Sequence, residues 1–341
     1  MAAEPLARKW ITAIAVSTAV AAALYLIAVL WAGHAAVGRA FEAVGAGTLL
    51  ALLALSCGNY GLRFLRWHFY LHALGSRISL AHDLRVYIAG FALTTTPGKA
   101  GEMARSVWLI PYGVKPTVSL AAFFAERIQD FLAVLLLASA GATLYRGGTW
   151  MLALSAAIVV AAMVVLFIPA VTRRPLAILS RRPGALGRLV GRMGEILRLT
   201  RGCMTPGRFV LGLSVGLCAW GAEAGAFWVL LQAMQSPQSL VTAVSVYAFA
   251  MLAGAVSFMP GGLGGSEATM VLLLTVCRVP LPTAVSATLV IRVATLWFAV
   301  VLGIVALSIR FRAPSVPGLA HPTAPPIVPP VAAPVARSEP R

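Results

Sequence analysis

The chain has 341 residues, 60% of them hydrophobic and 11% charged, with a formal net charge of +17. A soluble domain is nearer half apolar and a quarter charged, so this composition excludes one and predicts an all-α polytopic membrane protein. The excess of Lys and Arg is not a nucleic-acid signal: the arginines gather at the ends of apolar runs and in one loop, the pattern that orients membrane proteins.

Arg8 and Lys9 precede the apolar run Trp10–Trp31, which tryptophans bracket at both ends and which no clear small-x-small cleavage site ends. A short loop, Gly33–Gly45, leads to a second span at about Ala46–Leu65. It ends at Arg63, Arg66 and Trp67, with Arg77 and Arg85 soon after, and these basic residues mark the cytoplasmic side. Leu84–Thr96 is too short to cross a bilayer, which takes about 20 apolar residues. Pro97-Gly98 breaks it and Gly101–Pro111 forms a second short helix, so a hairpin that enters and leaves on the cytoplasmic side is expected. Non-helical backbone at that depth needs protein or a wet cavity around it.

Thr117–Tyr145 crosses outward and Trp150–Val171 returns. The loop Thr172–Arg208 then carries nine arginines and one acidic residue, Glu195. Within it Leu186, Leu189, Val190, Met193, Ile196 and Leu197 recur at helical spacing, as in a basic amphipathic helix resting on anionic lipid. Phe209–Leu231 crosses outward, Leu240–Phe258 and Glu267–Val276 flank a second break, and Leu281–Ser308 returns to Arg310 and Arg312. The Pro- and Ala-rich tail 313–341 reads as disordered and cytoplasmic.

The two breaks are copies of one another. Pro97-Gly98-Lys99-Ala100-Gly101-Glu102 corresponds to Pro260-Gly261-Gly262-Leu263-Gly264-Gly265-Ser266-Glu267. Val86-Tyr87 matches Val246-Tyr247, Gly113–Pro116 matches Arg278–Leu281, and Arg127 matches Arg292. One small insertion in the second turn accounts for the shift in register. The expected architecture is therefore six spans plus two re-entrant helical hairpins arranged as inverted repeats, the turns acting as hinges at Pro97, Gly98, Gly101, Pro260, Gly261, Gly262 and Gly264. The membrane domain covers 1–312, with a first half at about 46–145, the basic loop 172–208 and a second half at about 209–312.

An ionised residue in the middle of a membrane helix costs on the order of 3 kcal/mol, so the intramembrane charges are candidates for function. Glu126 and Asp130 lie one helical turn apart with Arg127 beside them, Glu102 and Arg105 form an i,i+3 pair, and the second half supplies Glu223, Glu267 and Arg292. Mutual neutralisation inside the bundle is the plain reading. A wet groove whose cations hold a phosphate and whose carboxylates hold an amine, a hydroxyl or a proton is the functional one. Helix N-termini after Gly101 and Gly265 would aim further N–H donors at the same place. His68 and His72 have i,i+4 spacing but no HExxH context, and the four cysteines (Cys57, Cys203, Cys218, Cys277) show no paired spacing. No metal, no cofactor and no catalytic residue is expected.

Arg66-Trp67, Thr96–Glu102 with Arg105, Glu126-Arg127 with Asp130, and Met259–Gly264 with Glu267 and Arg292 together resemble the lysylphosphatidylglycerol synthase/flippase transmembrane family. The similarity runs from about Ala46 to Arg310. It implies a lipid-translocating protein of the bacterial cytoplasmic (inner) membrane with both termini cytoplasmic. The bifunctional members carry an aminoacyl-transferase domain after the membrane part, whereas here a short Pro-rich tail follows. The expected function is a flippase-like transporter for a polar or anionic lipid headgroup, bound by Arg127, Arg292, Glu102, Arg105, Glu126, Asp130, Glu223 and Glu267. The alternatives are a membrane-embedded enzyme or accessory subunit in a hopanoid, glycolipid or aminoacyl-lipid pathway, and a small-solute transporter or scaffold. Expected partners are the lipid substrate and anionic lipid at 172–208, with room for a homo-oligomer.

Overall fold

A computed structural model of the chain describes residues 34–141 and 184–309 apart from 258, together with isolated positions between 142 and 183. The run Trp10–Trp31, most of the returning run Trp150–Val171, the arginines at 173–182 and the tail lie outside the described residues. Among the described residues all regular structure is helical.

The first half opens with α1 (His34–Ala73), which bends at Gly45, where φ is 72°. Two expectations are corrected here. The segment 34–44 is helix rather than loop, and α1 runs on past Leu65 to Ala73. Arg63 and Arg66 therefore sit inside the bundle and are not markers of a membrane exit. The hairpin follows as α2 (Leu80–Ala89), a 3₁₀ turn (Gly90–Leu93), a tight 3₁₀ stretch (Pro97–Ala104), the single turn α3 (Arg105–Trp108) and a last 3₁₀ turn (Ile110–Tyr112). The second leg is thus not one short helix from Gly101. It starts at Pro97, a residue suited to the first helical turn because it has no N–H to leave unpaired. The last helix of this half is α4 (Pro116–Ser139), again opened by proline.

The basic loop contributes α5 (Ala185–Cys203). The second half is built like the first, from α6 (Pro206–Ala233), α7 (Leu240–Val256), a short 3₁₀ turn (Pro260–Gly262), α8 (Gly265–Val276) and α9 (Leu281–Arg292). A π-helical turn (Val293–Trp297) joins α9 to α10 (Phe298–Ser308). Among the described residues, three stretches are long and apolar enough to cross a membrane: Val44–Ala73, Pro206–Ala233 and Leu281–Ser308, of 30, 28 and 28 residues.

The repeat seen in sequence is also a repeat in backbone. Helix α1 ends with Gly75 N–H donating to His72 O (2.9 Å) and Ser76 N–H to Leu71 O (3.0 Å). Helix α6 ends with the same two bonds, from Gln235 to Gln232 O (3.2 Å) and from Ser236 to Leu231 O (3.1 Å). Both are Schellman caps, which satisfy the last carbonyls of a helix by placing one residue at positive φ, here 87° at Gly75 and 54° at Gln235. A second matched pair closes each hairpin, with Gly113 at φ 79° and Arg278 at φ 63°. These are the Gly113/Arg278 positions that the sequence match pairs.

Packing follows a two-fold pattern. The first hairpin leg α2 lies against α10 of the second half, while the second hairpin leg α7 lies against α4 of the first. Helices α1 and α6 pack on each other, and each also packs on the other half, α1 on α9 and α6 on α4. The two broken turns, 97–104 and 260–262, meet at the centre. Close approach is needed where α10 crosses the first hairpin: a Cβ on Gly303 would lie 2.7 Å from the carbonyl carbon of Phe91.

Candidate functional site

The charges collect where the halves meet. Helical spacing puts Arg63 and Arg66 of α1 on one face, opposite Glu126 and Asp130 of α4. Arg63 Nη2 lies 3.2 Å from Asp130 Oδ2, and Arg66 Nη2 donates to Asp130 Oδ1. Arg66 Nη1 also donates to the Gly212 carbonyl of α6 at 3.1 Å. Arg127 Nη2 is 3.0 Å from Asp130 Oδ2, 3.4 Å from Glu126 Oε1 and 4.0 Å from Glu102 Oε2.

Arg105 reaches into the same cluster from the hairpin. It donates to Glu102 Oε2 at 2.5 Å and lies 3.6 Å from Glu126 Oε2. Its guanidinium carbon is 4.3 Å from the Tyr87 ring centroid and 5.2 Å from that of Trp67, so two aromatic faces stabilise the cation where water does not reach it. Tyr87 in turn donates its hydroxyl to Glu126 Oε1 at 2.8 Å, and Thr94 donates to Glu102 Oε1 at 3.0 Å. Four guanidiniums thus meet three carboxylates. Burial of so many charges is tolerable only when hydrogen bonds fill the remaining donor and acceptor positions, as several do here.

The second half repeats a leaner version. Arg292 donates through Nε to Glu267 Oε1 at 2.6 Å and through Nη2 to the Gly261 carbonyl at 2.8 Å, tying the second turn to the end of α9. Glu267 and Arg292 are 25 residues apart, as are Glu102 and Arg127. Tyr247, the counterpart of Tyr87, donates to Glu223 Oε2 at 2.8 Å. The π turn after Arg292 presents the Thr295 carbonyl sideways, and the Tyr60 hydroxyl donates to it.

Two cavities adjoin this network. The larger, of about 290 Å³, is bounded by Arg127, Asp130, Trp220, Met251, Gly261 and Arg292 among others. The smaller, of about 50 Å³, touches Arg63, Glu102, Glu223, Tyr247 and Arg292. Arg292, Trp220, Met251 and Leu296 belong to both walls.

Of the residues expected to bind substrate, Arg127, Asp130 and Arg292 line the larger cavity, and Glu102, Glu223 and Arg292 the smaller. Arg105, Glu126 and Glu267 lie behind these walls and line neither. Among the turn residues Gly261 and Gly262 face the larger cavity, and Gly264 precedes α8 with φ 82°. At Gly101 the N–H donates to Thr96 Oγ1 at 2.7 Å inside the 3₁₀ stretch, so no helix starts there to receive an anion. Helix α8 does start at Gly265. Positions 97, 98 and 260 hold the turns through their backbone.

Arg63, Arg66, Tyr60 and Trp220 belong to the site and were not assigned to it from sequence. The available signal was the i,i+3 spacing of Arg63 and Arg66, which puts both on one helix face, as the i,i+4 spacing of Glu126 and Asp130 does on α4. The histidines are otherwise occupied: His68 Nδ1 is 2.6 Å from Asp83 Oδ2, and His72 Nε2 is 3.2 Å from the Ile78 carbonyl. Among the described residues no group of three or more potential ligands is placed to hold a metal ion.

A comparison with curated proteins gives no match. The buried ion network, the paired Pro-Gly turns and the apolar helices that frame them are carried by one contiguous stretch. Residues 10–303 of that stretch match the family described as the lysylphosphatidylglycerol synthase TM region, and the chain belongs to it, as an integral membrane protein.

Proposed function

We propose that the chain carries a lipid with a polar or anionic headgroup between leaflets, the headgroup passing through the cleft between the two halves while the acyl chains stay in the bilayer. Membership in a lipid-related membrane family supports this. The observation that carries it is the cleft of about 290 Å³ where the broken turns meet, with one arginine from each half, Arg127 and Arg292, on its wall. Paired broken helices around a polar site are how inverted-repeat transporters build alternating access. The two turns are then the moving parts. The cytoplasmic termini and the bacterial inner membrane belong to the same proposal, as does contact of α5 with anionic lipid.

The test is reconstitution. Headgroup-labelled phospholipid in proteoliposomes should become accessible to a membrane-impermeant quencher faster with the chain than without it, and its mass should not change. Arg127→Gln should slow this strongly. Arg292 also holds the second turn, so Arg292→Lys is the variant to compare at that position, with thermal stability measured alongside. A recovered lipid of altered mass would instead make the chain an enzyme. Lipid movement at the protein-free rate would reject the proposal.

A further inference from the structure

The charge arrangement says which headgroups the cleft prefers. Three ionised side chains stand on its wall, two arginines and Asp130. Asp130 is already committed: Arg63 and Arg127 approach its Oδ2 at 3.2 and 3.0 Å, and Arg66 donates to its Oδ1. Glu126, which might have served an amine, is surrounded by Arg63, Arg66, Arg105 and Arg127 at 3.4 to 3.8 Å and accepts from Tyr87. Glu102 is bonded to Arg105 and Thr94.

Arg127 differs from these acids. Its side chain keeps 20% of its surface exposed: Nη2 is buried against Asp130, Glu126 and Glu102 and Nε is buried, while Nη1 makes neither an ion pair nor a hydrogen bond and is not among the buried atoms. Nη1 of Arg127 is therefore available on the cleft wall, whereas Asp130 is closed in by three arginines. Glu102 and Glu223 open on the smaller chamber of about 50 Å³ and do not line the cleft. Apart from Thr96 and Ser266, the rest of the larger wall is mostly apolar, with Phe131, Val134, Met251, Leu252 and Leu296, as suits the neck of an acyl chain.

We infer that the cleft selects a lipid headgroup of net negative charge, a phosphodiester or phosphomonoester held by the Arg127 guanidinium, and disfavours an aminoacylated, cationic headgroup. The inference rests on the lipid-carrying reading above and narrows it. A cationic amine in the cleft would meet two guanidiniums and carboxylates already neutralised. A phosphate would accept charge-assisted hydrogen bonds from the open Nη1 of Arg127.

Binding and transport are measured separately. The full chain in mild detergent is titrated with short-chain phosphatidylglycerol, phosphatidylcholine and lysylphosphatidylglycerol, and with inorganic phosphate. The readout is tryptophan fluorescence, because Trp220 lines the cleft. Phosphatidylglycerol should bind at least about tenfold more tightly than the lysylated lipid, the worth of one charge-assisted hydrogen bond. Arg127→Gln should erase that advantage and Arg127→Lys should keep part of it. The ranking is read on the unaltered chain, so it decides the matter even if R127Q does not fold. Equal affinities, or tighter binding of the lysylated lipid, overturn the inference. A correct ranking without transport upholds it and removes the transport proposal alone. Inorganic phosphate binding as tightly as phosphatidylglycerol also upholds anion selection, and shows that the ligand is the free anion.

Discussion

Asn59 and Ala219 hold the same place in the two halves, 160 residues apart, and are bonded to each other: Asn59 Nδ2 donates to the Ala219 carbonyl at 2.8 Å. A point that meets its own image lies on a two-fold axis, so the axis relating the halves passes through this crossing of α1 and α6. The same register shift pairs Gly75 with Gln235 and Tyr87 with Tyr247. It also pairs Arg63 with Glu223, so the two positions beside the axis carry opposite charges.

Cross-linking checks the crossing. In a background without the four native cysteines, Asn59→Cys with Ala219→Cys should link rapidly through a short bismaleimide, whereas Asn59→Cys with Cys at exposed Val210 should not. Asn59→Ala should cost roughly 0.6–1.5 kcal/mol, as interhelical hydrogen bonds in membranes do, read as a lower melting temperature in detergent. An unchanged melting point with no cross-link would show that the helices do not cross there.

The ion network makes a second prediction. Arg66 is buried between Asp130 and the Gly212 carbonyl, so Arg66→Met leaves Asp130 with fewer partners in a dry site. Truncating one member of such a network costs about 3–5 kcal/mol, and the variant should lose most of its folded yield. Arg66→Met combined with Asp130→Asn should recover part of that loss, because the second change removes the carboxylate left behind. Yields that simply add across the two variants would mean that the residues do not act as a pair.

The repeat was legible in sequence because turn chemistry is local. Pro-Gly breaks, and the positive-φ positions that close helices, leave marks wherever the chain must turn. The site was legible where charge interrupted an apolar run, as at Arg127, Asp130 and Arg292. It was not legible at Arg63 and Arg66, which stand near the end of an apolar stretch. There the positive-inside rule and a buried ion pair make the same demand for arginine, and only the carboxylates on α4 separate the two. The end of α1 was misplaced for the same reason: its last eight residues are held by packing, with Trp67, Tyr70 and Leu71 buried, and not by apolar run length. The π turn at 293–297 gave no signal, since no residue type marks an i→i+5 bond.

Close backbone contact at Gly303 gives a third prediction. A methyl group there would press on the Phe91 and Ala92 backbone, which no side-chain rotation relieves. Gly303→Ala should therefore push α10 off the first hairpin at a cost of about 1–3 kcal/mol, the usual penalty of overpacking. The loss should appear both as a lower melting point and as faster proteolysis of the segment between Gly90 and Tyr112. Ordinary stability in this variant would mean that α10 and the hairpin do not touch.

Helix α5 supplies the last prediction. Its C-terminal half is docked: Thr200 Oγ1 donates to the Ala121 carbonyl of α4 at 3.4 Å, Thr117 Oγ1 to Glu195 at 3.3 Å, and Cys203 is buried. Toward its N-terminus the apolar stripe continues as Leu186, Leu189 and Met193, all more than half exposed, with Arg188 and Arg192 exposed beside it. Apolar side chains in a row with cations alongside fit the interface of an anionic leaflet, where each arginine adds about 1 kcal/mol. With the native cysteines replaced, an environment-sensitive fluorophore on Met193→Cys should shift to the blue in nanodiscs of phosphatidylglycerol and less so in phosphatidylcholine alone. Arg188→Glu with Arg192→Glu should abolish the difference between the two lipids while leaving the melting temperature nearly unchanged, since neither arginine is buried. A probe that reports water in both lipids would place this half of α5 away from the membrane.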